Sequence, residues 1–526
     1  MWPVLQKVSE TENRELRTLH GGMVMDKRRV KIPARLVLSS LAIICVSAVV
    51  ARSGIAQIRE LTSATSCPAL TPLNPPIAST ACANYTGQTC LDATFGNETQ
   101  LPPGGLTVTN TDGSVPSNND SDGAVAIKQQ QQPDGTMRYL AVGTTTNPST
   151  YSIQGVAMVR YNLDGSLDTA FGSGGIVTYF SPAKTPLGIY DGAIDSAGNI
   201  LVVGTQNFNS MLLLRFTPTG VLDSTFNSVG YLNLSNFSPY TMRLQTDGKI
   251  VVGGIGNDTH GNQIGVVVRV NTNGTLDTTF GVNGQVGIAT FYYLEAIALQ
   301  TVGSQQYILA GGSSGVTTSE KFTVVRLTPM GSVDSSFGAS GVATTTFCGA
   351  GSRIFSLSVD AHGNILAGGR NYLARVSHPV MAIARFTSNG TLDTTFGDPS
   401  GSVRTGQTKL DFYGSNNYVN SIQPVLDAGG NQLAYLVAGS VYQSAGSATN
   451  KYLVLTQYHT DGSLDATFGT NGGFTIDFGH HNNGVTSPGN SNLLIQADGR
   501  IIITGSANFS TGPYAGWNFA LARVWP

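Results

Sequence analysis

Charge is scarce in this chain. Only 11% of its 526 residues are Asp, Glu, Lys or Arg, and the net charge is −2. No basic field exists to hold nucleic acid or an anionic lipid surface, so neither is expected as a partner. Sustained 3.6-residue periodicity is missing beyond the first ninety residues, which argues against a helical fold. The chain has no Gly-x-Ser-x-Gly elbow, no phosphate loop and no paired-cysteine metal motif. Its five cysteines fall in no zinc spacing. Gly (64 residues), with Ser, Thr and Asn, fills the gap left by charge. That composition suits an all-β exported protein.

One uncharged apolar run stands out, Leu36 to Ala51, behind the basic Lys27 to Arg35 and ahead of the small residues Ser53-Gly54-Ile55-Ala56. Basic, apolar, small is the order of a secretory signal. The run is shorter than the roughly 20 residues a spanning helix prefers. Residues 1–56 therefore read as a signal region cleaved near Ala56, with an uncleaved anchor as the alternative and only membrane contact. Translation from Met23 or Met25 would give a signal of ordinary length. Ile44 before Cys45 does not suit a lipoprotein signal. Residues 57–90 form a Pro/Thr/Ala-rich linker, and one disulfide among Cys67, Cys82 and Cys90 is expected, with three pairings open. The protein is expected to be secreted, periplasmic or at the cell surface, and monomeric.

From residue 91 a phrase recurs seven times, (Leu/Val)-Asp-x-(Ser/Thr/Ala)-Phe-Gly, with Asn227 once replacing Gly. Its aspartates are Asp92, Asp168, Asp223, Asp277, Asp334, Asp393 and Asp465, and its phenylalanines Phe95, Phe171, Phe226, Phe280, Phe337, Phe396 and Phe468. Most copies lie near fifty-five residues apart, while the first and last intervals are 76 and 72. The long intervals suggest inserts near Thr99 to Asp122 and Lys409 to Asn431. Each unit holds four runs of β length divided by Asp-Gly, Asn-Gly and Gly-Asn turns. Four short strands repeated seven times predict a seven-bladed β-propeller over residues 91–526. The last unit stops at Pro526 after its third strand, and the missing phrase and fourth strand stand at Leu91 to Asn110. The N-terminal strand is therefore expected to close the ring, leaving no open sheet edge.

The stretch Arg160 to Gly172, RYNLDGSLDTAFG, resembles the delta-60 repeat family, as do its sister units. The resemblance covers Leu91 to the C-terminus. It implies a bacterial exported propeller and no common activity.

The repeated Asp reads as a turn lock, because a carboxylate beside a tight turn accepts backbone N–H groups. The repeated Phe is expected to anchor one blade on the next. The basic residue closing each third strand (Arg160, Arg215, Arg269, Arg326, Arg385 and Arg523, with Gln457 the exception) should pair with an aspartate. Alternate oxygen residues at Asn162 to Asp168 and His459 to Asp465 hint at calcium, but no loop has the glycine placement of a calcium loop. No cofactor is expected. His480-His481 has no third ligand nearby in sequence, so no metal is expected there.

Function is expected on the face of the loops between second and third strands, which are rich in Ser, Gly, Asn and Tyr. Tyr151, His260, Tyr372, Tyr442 and Tyr514 lie in or beside these loops, and Asp191, Tyr240, Glu295, Arg353 and Asn420 should stand near the tunnel mouth on the same face. The reading is a non-catalytic binding or cell-surface scaffold for a protein or glycan. The alternative is a propeller enzyme, lyase- or lactonase-like, marked by polar residues that break the repeat and converge on the axis.

Overall fold

The computed structural model describes residues 70–526 apart from 75–76, 79–80, 83–89, 97–103, 112–121, 148, 150–153, 184, 208, 316–318, 374–377, 446–447, 479–491 and 510–515. The signal region, Cys67, Asn97, Tyr151, His480, His481 and Tyr514 lie outside the described residues. No helix of the described residues is long and apolar enough to cross a membrane.

Seven four-stranded antiparallel sheets form a ring, and the fold is a seven-bladed β-propeller. Blade 1 holds Gly123–Gln131, Met137–Thr146, Gln154–Tyr161 and Ile176–Tyr179. Blades 2 to 5 begin with the strands Leu187–Ile194, Phe237–Leu244, Tyr293–Val302 and Ser352–Val359, and blade 6 with Asn417–Leu426. Blade 7 takes Leu493–Ile495, Ile501–Phe509 and Gly516–Trp525 from the C-terminal end. Its fourth strand is Leu106–Thr109, with Phe519 opposite Thr109 and Ala522 opposite Leu106. The ring is thus closed by the N-terminal strand. Cys90–Asp92 adds a further pairing to the same C-terminal strand.

The apolar core falls into seven clusters, one between each pair of adjacent blades. The cluster across the closing seam joins Phe95, Ile502, Phe519 and Leu521 to Ala124, Ile127, Tyr139 and Val159. A sheet buried on both faces needs apolar side chains on both, which is why the second and third strands read as continuous Val/Ile/Leu runs rather than strict alternation.

The repeated phrase is the clamp between blades. In six blades the Arg Nε donates to the phrase's Asp Oδ2 at 2.7–2.8 Å. The same guanidinium lies over the phrase's Phe ring, 4.5–4.7 Å from its centre. Its Nη1 donates to a carbonyl in the next blade's turn: Pro218, Thr272, Pro329, Ser388, Thr460 and Leu163. The other Asp oxygen accepts the N–H two residues on, at 2.9–3.2 Å. Blade 6 lacks the arginine, and Gln457 Nε2 donates to Asp465 at 3.0 Å instead. Six of the seven Phe rings, all but Phe468, pack on the turn of the following blade, where Gly165, Gly220, Gly274, Gly331, Gly390 and Gly462 have φ between +80° and +91°. A Cβ at these positions would press on the ring, so space and backbone angle both demand glycine.

The long unit before Asp465 departs from expectation. The segment Lys409 to Asn431 is no insert: it supplies the end of Gln407–Leu410, the fourth strand of blade 5, and Asn417–Leu426. The extra length lies in a small hairpin, Pro399–Ser400 with Val403–Arg404, and in the long strands Gln432–Ala445 and Ala448–His459. Cys90 and Cys348 are each disulfide-bonded. The bridge at Cys348 was not expected from the sequence, where that residue stands far from the cysteine-rich linker.

Candidate functional site

The first strand of blades 1 to 6 is broken by one extra residue in the same register. The extra residues are Val125, Tyr190, Tyr240, Glu295, Phe355 and Asn420 in blades 1 to 6. A bulge bends its strand and re-aims the side chains around it. It also drives a carbonyl against the second strand. A Cβ at Gly143, Gly204, Gly254, Gly312, Gly369 or Gly439 would collide with the carbonyl oxygen of Gly123, Gly188, Ser238, Tyr293, Arg353 or Tyr418. The repeated glycine near the end of the second strand exists to admit this bulge.

The bulge also leaves N–H groups without a ladder partner, and side chains of the neighbouring blade supply some. Asp191 Oδ2 accepts Met242 N–H at 3.0 Å, and Ser356 Oγ accepts Ile422 N–H at the same distance. Asp191 Oδ1 accepts Gly192 N–H at 2.8 Å, and its Oδ2 also meets Arg243 Nη1 at 3.2 Å.

On the half of these strands nearer the second-to-third-strand loops, aromatic and charged side chains gather from blades 2 to 6. The rings of Tyr190 and Tyr240 stand edge to face at 5.4 Å. Arg353 lies over the Tyr293 ring, 3.5 Å from its centre. Its Nη1 is 3.4 Å from Glu295 Oε1, and its Nη2 pairs with Glu320 Oε1. Arg370 reaches the other Glu320 oxygen at 3.9 Å and donates to Tyr372 Oη at 3.1 Å. Beyond it Phe355 approaches Tyr418 at 6.3 Å, and Tyr418 approaches Tyr442 at 6.1 Å.

The electrostatics of the cluster are set by burial. Glu295 is 7% exposed and Glu320 5%. Desolvation pushes the Glu295 carboxyl up to about 7, against the pull of Arg353 and Arg370. Burial, then the Glu295 charge, pushes the Tyr240 hydroxyl up to about 12. Glu295 Oε2, Arg353 Nε and Arg370 Nε are buried without a hydrogen-bond partner. Such groups favour a ligand that brings hydrogen bonds with it.

The structure brings together Tyr240, Glu295, Arg353, Tyr372 and Tyr442. Asp191 is occupied in joining blades 2 and 3. Asn420 accepts a hydrogen bond from Ser440 Oγ at 2.9 Å within blade 6. His260 sits at an exposed hairpin tip, its N–H bound to Asp258 Oδ1 at 2.8 Å. Sequence reasoning missed Tyr190, Tyr293, Glu320, Arg370 and Tyr418. Aligning the first strands on their bulges would have found Tyr190, which occupies the register of Tyr240 and Glu295, one residue before Asp191.

Asp164 is engaged by Ser166, and Asp168 faces Arg160 and Arg138. Among the described residues no three His, Cys, Asp or Glu side chains gather to hold a metal ion.

Five segments, 132–171, 198–226, 245–280, 308–337 and 363–396, match a family model described as a domain of unknown function (DUF5122) beta-propeller. No curated protein matches the chain. Among solved structures, it is similar to Drosophila Plexin A in complex with Semaphorin 1b at 10% identity and a TM-score of 0.36, covering 79% of this chain and 86% of that one. A glucose dehydrogenase matches at 8% identity and 0.32, covering 64% and 98%. A polysaccharide lyase of family PL25, an ulvan lyase, matches at 10% and 0.31, covering 65% and 84%. Likenesses of this size carry no argument about activity or partner.

Proposed function

We propose that this chain is an exported, non-catalytic binding propeller of the delta-60 type that takes a saccharide at the aromatic and arginine cluster around its tunnel mouth. The observation that carries the reading is the Arg353 assembly. Aromatic rings from several blades surround guanidinium and carboxylate groups that are buried yet keep unpartnered atoms. Rings give a sugar its apolar faces to stack on, and fixed polar atoms read its hydroxyls. The cluster breaks the repeat, since the bulge position carries Val in blade 1, Glu in blade 4 and Asn in blade 6. Export is supported by the basic–apolar–small N-terminal order and by cystines at Cys90 and Cys348, which persist in oxidising compartments.

A glycan and cell-wall binding screen on residues 57–526 tests this. With a bound sugar in hand, Tyr240→Ala and Tyr372→Ala should each weaken binding about tenfold, the scale of one lost aromatic contact. Binding that survives both changes and is lost only through changes in the Asp-Gly turns would place the ligand on the other face.

One observation favours a second reading, a propeller enzyme acting at the same mouth. Glu295, with a carboxyl held near neutrality by burial, is the kind of group that transfers protons to and from a bound sugar. Turnover of a bound saccharide, lost in Glu295→Gln while binding stays, would establish it.

A further inference from the structure

Below the bulges the tunnel runs on toward the Asp-Gly turns, and there it holds a cavity of about 470 Å³ walled by the first strands of blades 1 to 6. Three residues past each bulge stand Lys128, Ala193, Arg243, Ala298, Ser358 and Gln423, one from each blade. The repeat asks for no charge at this position, as four of the six show. Lys128 and Arg243 are departures from it, and both fall on the side of blades 1 and 3. The remaining wall is apolar, built by Ile194, Leu299, Leu357, Val359 and Ile422.

The charges do not cancel. Asp191, between the two cations, is bound to Arg243 and to two backbone N–H groups. Arg243 also donates to Met242 O at 2.7 Å. Lys128 has no hydrogen-bond or ion-pair partner among the described residues. One positive charge is left over inside a cavity with apolar walls. Lys128 is half-buried, since the tunnel lumen reaches it, yet protein surrounds it on every side, and this desolvation lowers its pKa to about 8. A cation so placed is stabilised by an anion that enters with it.

We propose that the turn-side half of the tunnel is a second binding site, for a small organic monoanion with an apolar body, whose charged group pairs with Lys128 and whose body lies on the aliphatic wall of blades 4 to 6. Its volume falls within the roughly 300–1,000 Å³ of small-molecule sites. The site is separate from the saccharide reading, because its residues lie past the bulges and none belongs to the Arg353 assembly.

Calorimetry on residues 57–526 with phenylacetate and its uncharged isostere phenylacetamide tests the proposal on the unmodified chain. Phenylacetate should bind saturably and about tenfold more tightly than the amide. Lys128→Met, which keeps length and removes charge, should abolish that preference, while Tyr240→Ala should leave it within about twofold. No saturable binding of phenylacetate up to about 10 mM, equal binding of acid and amide, or full retention of the preference in Lys128→Met would each overturn it. The comparison of acid with amide keeps its force even if Lys128→Met does not fold.

Discussion

Glu295→Gln exchanges a buried carboxyl for a neutral amide of the same shape, and its effect on stability depends on pH. In the unfolded chain a glutamate titrates near 4.5, whereas in the ring Glu295 titrates near 7 because burial disfavours its charge. Between these values the folded chain binds more protons than the unfolded one, so stability falls as pH rises through the window. The contribution is fully favourable below about pH 4.5 and fully lost above about pH 7. The difference corresponds to about 3 kcal/mol at 1.4 kcal/mol per decade. Glu295 is only 7% exposed, so solvent screening does not dilute it. Gln does not titrate. The variant should therefore match the parent near pH 4.5 and exceed it by about 3 kcal/mol near pH 8. For a ring of roughly 450 residues that is a rise in Tm of about 3 °C. The repeat aspartates such as Asp92 and Asp334 have lowered pKa values and tilt the profile the other way, but equally in both proteins. Thermal melts followed by circular dichroism at about pH 4.5, 6 and 8 measure the difference. A variant less stable than the parent at pH 8 would refute the reasoning, because the Glu295–Arg353 attraction would then outweigh desolvation.

Three further outcomes follow from the fold. Arg385→Ala should cost about 3 kcal/mol, since it strands the buried Asp393 carboxylate, while Arg269→Ala should cost less, because Lys249 remains 3.0 Å from Asp277; denaturant melts compare the two. Gly254→Ala should cost roughly 3 kcal/mol or prevent folding, because its Cβ meets the Ser238 carbonyl, whereas Gly135→Ala meets no atom and should cost about 1 kcal/mol for its positive φ. Deleting residues 57–110 should sharply lower the melting temperature, because it removes Leu106–Thr109 and Asp92 together; a truncated chain that melts like the parent would mean the ring does not depend on this closure.

Much of this fold is legible in the sequence, because seven units solve one local problem with the same residues. Asp, Phe and Arg recur since each clamp needs a turn lock, a ring and a guanidinium. The bulge is not legible from hydrophobic alternation, because an extra residue shifts the register without changing composition. Its trace is the glycine near the end of the second strand in blades 1 to 6, which admits a carbonyl. That shift explains the mixed outcome along the first strands. Tyr240 and Glu295 occupy the bulge itself and fall in the cluster, while Asp191 stands one residue beyond it and faces blade 3. Glu320 and Arg370 could not be found by position at all, since they join the site only when blades 4 and 5 pack.

The closing seam places Arg523 Nε 2.8 Å from Asp92 Oδ2, between residues 431 positions apart in the chain. Until the segment around Arg523 has been synthesised, Leu106–Thr109 has no sheet to join, and blade 1 lacks a packed neighbour on one side. Early blades can form strands from local hairpins, but the event that shuts the circle comes last and joins distant sequence. Loop-closure entropy grows only slowly with length, so this separation weighs more on the rate of folding than on final stability. A chain built this way stays incompletely folded for as long as it is being made. Blade 7 therefore completes the fold last: the propeller becomes a closed ring only when its two distant segments meet.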